Sequence, residues 1–253
     1  MGELKTDIII GRNPVIEAIK ADRGIEKIYI CSGTEGSVKK ISAMAKDRGI
    51  PVYYEEKNIF DKLADGNHQG VAAFVSAHSY CEIEDIIALA GERGEDPFIV
   101  ILDGIEDPHN LGAILRTAEA AGVHGVIIPK RRAAGITASV VKTSAGASEY
   151  MLCAKVSNIA MTIDKLKHMG LWIGACDMDG ELYYSRDLRG GIALVIGSEG
   201  MGISKLVKVK CDFVLSVAMK GRLNSLNASN AAAVLIYEVR RQRDGKQICR
   251  NGG

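Results

Sequence analysis

Paired cysteines are missing from this sequence. The six present (Cys31, Cys81, Cys153, Cys176, Cys211 and Cys249) are scattered, with no C-x-x-C arrangement, and none of the five histidines supplies a close ligand pair. The spacing a structural zinc site needs is therefore absent, and isolated cysteines read as reduced packing residues. Long apolar runs are lacking too. No stretch approaches the roughly 18 residues of a membrane span, and the opening "MGELKTDIII" has neither the apolar core nor the cleavage site of a signal peptide. The expectation is a cytoplasmic protein with no metal and no membrane association. Aromatic residues make up only 5% against 28 glycines, which points to an aliphatic core and many tight turns. Neither sign of charge dominates: a net charge of +1 does not by itself announce a nucleic-acid binder.

The common phosphate-cradling and nucleophile signatures are absent as well. There is no G-x-G-x-x-G after a strand, no P-loop and no G-x-S-x-G elbow. What is present is a hydrophobic share of 47% with 25% charged residues, ordinary for a globular chain and too apolar for disorder. At 253 residues it suits one large domain or two modest ones. To about Ala77, strand-like "DIII", "IEKIYI" and "GVAAFVSA" alternate with helix-like "PVIEAIK" and "SVKKISAMAKDRG", predicting a small α/β domain over 1–77. The acidic stretch ending in "GERGEDP" reads as a linker over 78–96. From Pro97 to residue 253, buried strands ("FIVILDG", "VHGVIIP", "MLCAKV", "LWIGACD", "GIALVIGSEG", "FVLSVAM") alternate with helices. That pattern predicts a mostly parallel sheet covered on both faces, with ligands beyond the carboxyl ends of its strands.

Three loops follow from this placement: "DGIEDPHN", "GSEGMG" and "AMKGRLNSLN". In the first, Asn110 stands where a helix cap is expected. Arg116 follows on an otherwise aliphatic inner stretch; a surface salt bridge to Glu106 or Glu119 is one reading, and an arginine near a helix N-terminus is also the residue type that grips phosphate bidentately. In the second, Gly197, Ser198, Glu199 and Gly200 end an apolar strand, and small residues let a ligand approach the backbone. In the third, Asn224, Ser225, Asn227, Ser229 and Asn230 crowd the start of an apolar helix. Capping explains one or two of them. Basic clusters at Lys130–Arg132 with Lys142, at Lys205, Lys208 and Lys210, at Lys220 and Arg222, and at Arg240–Arg250 flank several of these turns, which suits an anionic partner.

"NLGAILRTAEAAG", "ALVIGSEGMGIS" and "VAMKGRLNSLNASNAAAVLIYE" together resemble the three motifs of the SpoU, or TrmH-like, branch of the SPOUT RNA methyltransferases. "IIIGRNPVIEAIK" and "NHQGVAA" resemble the L30e-like RNA-binding domain that precedes this module in the 23S rRNA (guanosine-2′-O-)methyltransferases of the family. The resemblance implies S-adenosylmethionine as cofactor, transfer to a ribose 2′-hydroxyl of a 23S rRNA guanosine, a homodimer through the SPOUT domain and a deep trefoil knot near its C-terminus. Carried over by motif, the active-site positions fall on Asn110, Arg116, Glu199, Ser225 and Asn227. The cofactor contacts fall on Gly197, Val217 and Leu226, with Gly200 and Met219 in the same loops. We read Ser225 and Asn227 as directed to substrate or cofactor, and Ser229 and Asn230 as capping the helix or supporting the residues that touch the ligand.

Two departures stand out: Ala218 replaces the usual proline of Ile-Pro-Met, freeing a φ angle, and Ala228-Ser229-Asn230 replaces Val-Ser-Val. Three rivals share the residues. One is a tRNA 2′-O-methyltransferase of the same fold, the second a non-catalytic RNA-binding paralogue, and the third a paralogue that methylates a different rRNA nucleotide. The intact Asn110, Arg116, Glu199, Ser225 and Asn227 set speaks against the second, and the extra N-terminal domain speaks for rRNA.

Overall fold

The structure, a computed structural model, describes residues 7–20, 24–34, 36–63, 68–75, 79–222 and 224–250. The expected domain boundary at 77–78 lies outside them. The chain divides into two compact units, Met1–Ser79 with Gly135–Ala138, and Tyr80–Ala134 with Ser139–Gly253.

In the first unit the elements run β1 (Asp7–Ile10), α1 (Arg12–Lys20), β2 (Ile25–Cys31), α2 (Val38–Asp47), β3 (Val52–Glu55), α3 (Lys57–Leu63) and β4 (Val71–Val75). The sheet order is β1-β4-β2-β3, with β4 antiparallel to both neighbours and β2 parallel to β3. Val15, Ile16 and Ile19 on α1 and Val38, Ile41 and Ala45 on α2 recur at helical spacing. They bury against Ile28 and Ile30 of β2 and Val71 and Ala73 of β4. Strand β3 and helix α3 were not legible in the sequence. The four residues of β3 include the exposed pair Tyr53 and Tyr54, so no half-buried alternation marks it.

The second unit contains α4 (Ile83–Glu92), β5 (Phe98–Asp103), α5 (Pro108–Ala120), β6 (Gly125–Pro129), α6 (Ala138–Thr143), β7 (Leu152–Val156), α7 (Ile159–His168), β8 (Trp172–Leu182), β9 (Ile192–Gly197), α8 (Lys205–Lys210), β10 (Phe213–Ser216) and α9 (Ala228–Arg250). All six strands are parallel, in the order β10-β8-β9-β5-β6-β7. Ile99 and Ile101 of β5, with Ala193 and Val195 of β9, face Ile86, Ile163, Leu166 and Val207 from α4, α7 and α8. The alternate residues, Val100, Leu102, Leu194 and Ile196, are equally buried, and α5 and α9 pack together on their side. Both faces are covered, which is why β5 and β9 read as unbroken apolar runs.

Of the linker expected over 78–96, the described residues 79–96 do not behave as one. From Tyr80 onward they belong to the second unit. Cys81 bridges Ala154 in parallel, its N–H donating to the Cys153 carbonyl at 2.9 Å. Ile83, Ile86 and Ala90 form a buried stripe, and a helix with such a stripe must pack it. The acidic residues that suggested a linker do something else: Glu82 and Asp85 close a reciprocal capping box at the start of α4. Strand β8 also runs five residues past the expected end at Asp177, and α8 was not foreseen.

Candidate active site

The carboxyl ends of β5, β9 and β10 turn into the three loops of interest. The first begins at Asp103 and enters α5. Asp107 is the N-cap, its side chain accepting from the His109 N–H at 3.0 Å with Pro108 at the first helical position. This corrects the capping role expected for Asn110, which sits inside the first turn with its carboxamide released from that duty. Asn110 Nδ2 donates to Glu199 Oε1 at 2.9 Å.

The second loop folds back on itself. Ser198 N–H donates to the Gly202 carbonyl at 3.2 Å, and Gly202 N–H returns to the Ser198 carbonyl at 2.9 Å. Gly197 is required by this turn, because a Cβ there would lie 2.3 Å from the Gly202 carbonyl carbon. Asp103 anchors the far side, its Oδ2 accepting from the Ser204 N–H at 2.8 Å. Sequence reading missed Asp103; its signal was an acid at the last position of an otherwise apolar strand.

The third loop leads into α9, and here the expected division of labour changes. Asn227 is the cap: its Oδ1 accepts from Ser229 N–H at 2.9 Å and from the Ser229 hydroxyl. Its Nδ2 uses both hydrogens elsewhere, donating to Asn110 Oδ1 at 3.0 Å and to Glu199 Oε1. Asn110, Glu199 and Asn227 thus form a closed triangle from three loops that are far apart in sequence. One Glu199 oxygen takes both amide donors. Ser229 serves the cap, as expected, and Asn230 is exposed.

Beside the triangle lies a cleft of about 300 Å³. Gly197, Glu199, Gly200, Val217, Met219, Ser225 and Leu226 all line it, so seven of the ten residues singled out by motif meet in one place. Cys176, Asp177 and Met178 form a wall that the sequence reading did not include. Lys208 holds that wall, reaching Asp177 at 2.8 Å and Asp179 at 2.7 Å. Burial pushes the Cys176 thiol up to about 12, so it is a neutral wall group and no nucleophile. Arg116 stands apart. It lies six residues beyond Asn110, about 9 Å along the helix and about 240° around it. It is exposed and outside the cleft lining. Among the described residues it has no ion pair, neither with Glu106 nor with Glu119. The described residues also contain no group of three or more His, Cys, Asp or Glu arranged to hold a metal ion, and no helix long and apolar enough to cross a membrane.

Comparison with known proteins gives the family. Residues 97–237 match the SpoU rRNA Methylase family, and residues 8–81 match RNA 2′-O ribose methyltransferase substrate binding. YacO of Bacillus subtilis (strain 168), assigned by name to the TrmH family of tRNA/rRNA methyltransferases, is 45% identical over 94% of this chain and 96% of its own length. A Staphylococcus haemolyticus protein carrying the same family name is 45% identical over 93% and 96%. Among solved structures, the SpoU methyltransferase AviRb from Streptomyces viridochromogenes, in complex with AdoMet, shares the fold at 23% identity. Its TM-score is 0.61 over 94% of this chain and 90% of that one. The A. aeolicus TrmH/SpoU tRNA modifying enzyme, at 27% identity and a TM-score of 0.56, covers 65% of this chain and 85% of its own. The chain belongs to the SpoU, or TrmH, family of RNA methyltransferases.

Proposed function

We propose that the protein transfers a methyl group from S-adenosylmethionine to a ribose 2′-hydroxyl, with a guanosine of 23S rRNA as target. The observation that carries the proposal is the Asn110–Glu199–Asn227 triangle at the rim of a cleft lined by all five motif residues expected to hold cofactor. The cleft suits such a cofactor. Its volume is at the lower end of small-molecule sites, its Ile196, Val217 and Leu226 walls are apolar, and its Gly197–Gly202 turn puts three glycines in the lining, where a ligand can approach the backbone closely. When bound, the cofactor supplies a methyl group on a positively charged sulfur.

The chain's own residues do the rest. Gly197, Gly200, Val217, Met219 and Leu226 bind and orient the cofactor. The triangle fixes the three loops relative to one another, and Glu199, with one oxygen occupied by two amides, offers its other oxygen to a substrate hydroxyl. Holding two reactants in attack geometry removes about 7–11 kcal/mol of barrier. A guanidinium keeps its proton too firmly to act as a base, so that role does not fall to Arg116. It grips an RNA phosphate and stabilises the developing alkoxide, while the exposed Ser225 hydroxyl, or a water beside it, takes the 2′-hydroxyl proton and passes its own on to solvent. The substrate-binding match over residues 8–81 favours rRNA, since the tRNA-modifying relative covers only 65% of this chain. On the family resemblance we further assign an L30e-like fold to the first unit, a trefoil knot and a homodimer to the second, and a cytoplasmic site of action.

Calorimetric titration with S-adenosylmethionine, followed by mapping of 2′-O-methyl groups in rRNA and tRNA from cells with and without the protein, tests the reading. Gly200 is the informative cleft position, because a Cβ there meets nothing within 4 Å. Gly200→Val should narrow the cleft and weaken cofactor binding at least tenfold without disturbing the fold. Absence of cofactor binding by the wild-type protein, with or without RNA, would remove the enzyme reading. Loss of a tRNA methyl group in place of an rRNA one would reassign the substrate.

A further inference from the structure

The first unit has a sheet with one face packed by α1 and α2, and the other face carries side chains of a different kind. Residues along a strand alternate between faces. Ile28, Ile30, Val52, Val71 and Ala73 point to the helical core, which places Lys27, Tyr29, Tyr53 and Phe74 opposite. The register brings them side by side: Lys27 pairs with Phe74, and Tyr29 with Tyr53. The rings of Phe74, Tyr29 and Tyr53 make a row across three strands. Centroids are 4.9 Å apart for the first pair and 5.8 Å for the second, both edge-to-face. The Lys27 ammonium lies 4.7 Å from the Phe74 centroid and 4.9 Å from that of Tyr29, and it donates to the Tyr29 hydroxyl at 3.0 Å.

The whole chain has four phenylalanines, eight tyrosines and one tryptophan, 5% of its residues, so aromatic side chains are used sparingly. Yet three stand together on the face that α1 and α2 leave uncovered, and Tyr53 is 46% exposed. A lysine held over two of the rings puts a positive charge within the row. Flat π-faces beside a fixed cation fit one ligand chemistry well: unpaired nucleobases, which stack on rings, joined by phosphates, which the cation attracts.

We infer that the Phe74–Tyr29–Tyr53 row, with Lys27, is a stacking platform for unpaired bases of the RNA substrate. The inference rests on the reading of this unit as the substrate-binding part of the protein, and it names the surface that would do the binding. Duplex RNA is excluded as the ligand, since its bases are already stacked and its phosphates alone would be left to bind. Tyr53 is the most exposed residue of the three. Tyr29 and Phe74, half-buried, set its position and hold Lys27.

The test uses the full-length protein and a fluorescently labelled, unstructured oligoribonucleotide, with 2-aminopurine at a central position as a reporter of stacking. Base stacking on an aromatic side chain is worth about 5- to 150-fold in affinity by alanine substitution. Tyr53→Ala should therefore weaken binding by about that factor and abolish the 2-aminopurine quenching, while Tyr53→Phe retains both. Lys27→Ala should weaken binding and flatten its salt dependence. Equal affinity of wild type and Tyr53→Ala overturns the platform. So does equal loss for single-stranded and duplex RNA, which would indicate phosphate attraction alone, or a change in oligomeric state on Tyr53→Ala, which would make the face a protein interface. S-adenosylmethionine binding, measured in parallel on the same variants, should not change. That separates failure of the platform from failure of the methyltransferase reading, which is judged by the wild-type titration.

Discussion

The two units are both built on sheets, and they leave different parts of those sheets open. In the first, α1 and α2 cover one face and a row of rings stands on the other. In the second, α4, α7 and α8 cover one face while α5 and α9 cover the other, so no row of side chains is left for a ligand. What remains open there is the carboxyl edge, where β5, β9 and β10 run out into loops. Coverage decides where a sheet can bind. A sheet packed twice binds at its strand ends, and the chemistry must be assembled from backbone turns and first-turn side chains. A sheet whose second face carries part-exposed rings can bind across that face, with affinity spread over several rings and charges and no reacting group among them. The proposed division between substrate capture and methyl transfer follows from that difference.

The sharpest way to break the comparison is at Arg116, which belongs to neither open region: it is exposed, on α5, and outside the cleft. If it grips phosphate and alkoxide, Arg116→Lys keeps a charge but loses the planar fork. The single-turnover rate should then fall by about two to three powers of ten, the scale of one preorganised charge contact. Arg116→Ala should fall further, with cofactor affinity nearly unchanged. A pH profile of the Lys variant that keeps its shape and loses height supports positioning; a profile displaced along the pH axis would make the residue a base. A large loss of cofactor affinity would instead mean that Arg116 reaches the cleft.

The next largest effect should fall on the second unit alone. Ile86 of α4 is fully buried and packs where a Gly125 Cβ would come within 2.5 Å of it. Truncation of such a side chain costs about 2–5 kcal/mol. Ile86→Ala should lower hydrogen-exchange protection across β5, β6 and β9 by that amount and leave β2 and β4 of the first unit unchanged. Unchanged protection in the second unit would return residues 78–96 to the status of a linker.

That stretch also shows what sequence could convey. The strands of the second unit were legible because both faces are apolar, and the periodic stripe of α5 marked it as a helix. Helix α4 carries a stripe just as clear in Ile83, Ile86 and Ala90, but its dense acids and the turn after it outweighed the period. The triangle was legible as a list and not as a geometry. Spacing placed Asn110 at a helix start, but only the structure shows that Asp107 caps first and frees the Asn110 carboxamide. The same holds for Asn227, whose two ends serve a cap and a carboxylate at once. Strand β3 had no pattern to read, since its solvent-facing tyrosines belong to a surface and not a core.

The smallest predicted effect is a pH dependence of stability lodged in the second unit, far from the strand ends that carry chemistry. His124 is 1% exposed, and its Nδ1 accepts from the Phe98 N–H at 3.0 Å. The proton of the neutral ring therefore sits on Nε2, where it is directed to Glu95 Oε2 at 3.1 Å. A second proton can enter only at Nδ1, and that breaks the bond to Phe98 at the start of β5. Burial holds the imidazole below its ordinary value of 6.5, and the positive charges of Arg93 and Arg243 add to this, while Glu95 pulls the other way and is outweighed. The folded protein thus binds fewer protons than the unfolded chain in the range where a free histidine titrates. Stability from this group is complete above about pH 6.5 and is lost as pH falls from there through the lowered folded value. Urea unfolding at pH 7.5, 6.5, 5.5 and 5.0 should show that decline. His124→Asn keeps an acceptor for the Phe98 N–H and cannot titrate, so its stability should be flatter over the same interval, even if lower at pH 7.5. Parallel declines in the two proteins would mean that the acid sensitivity arises from other groups, and that the buried imidazole takes up its proton without disturbing the edge of β5.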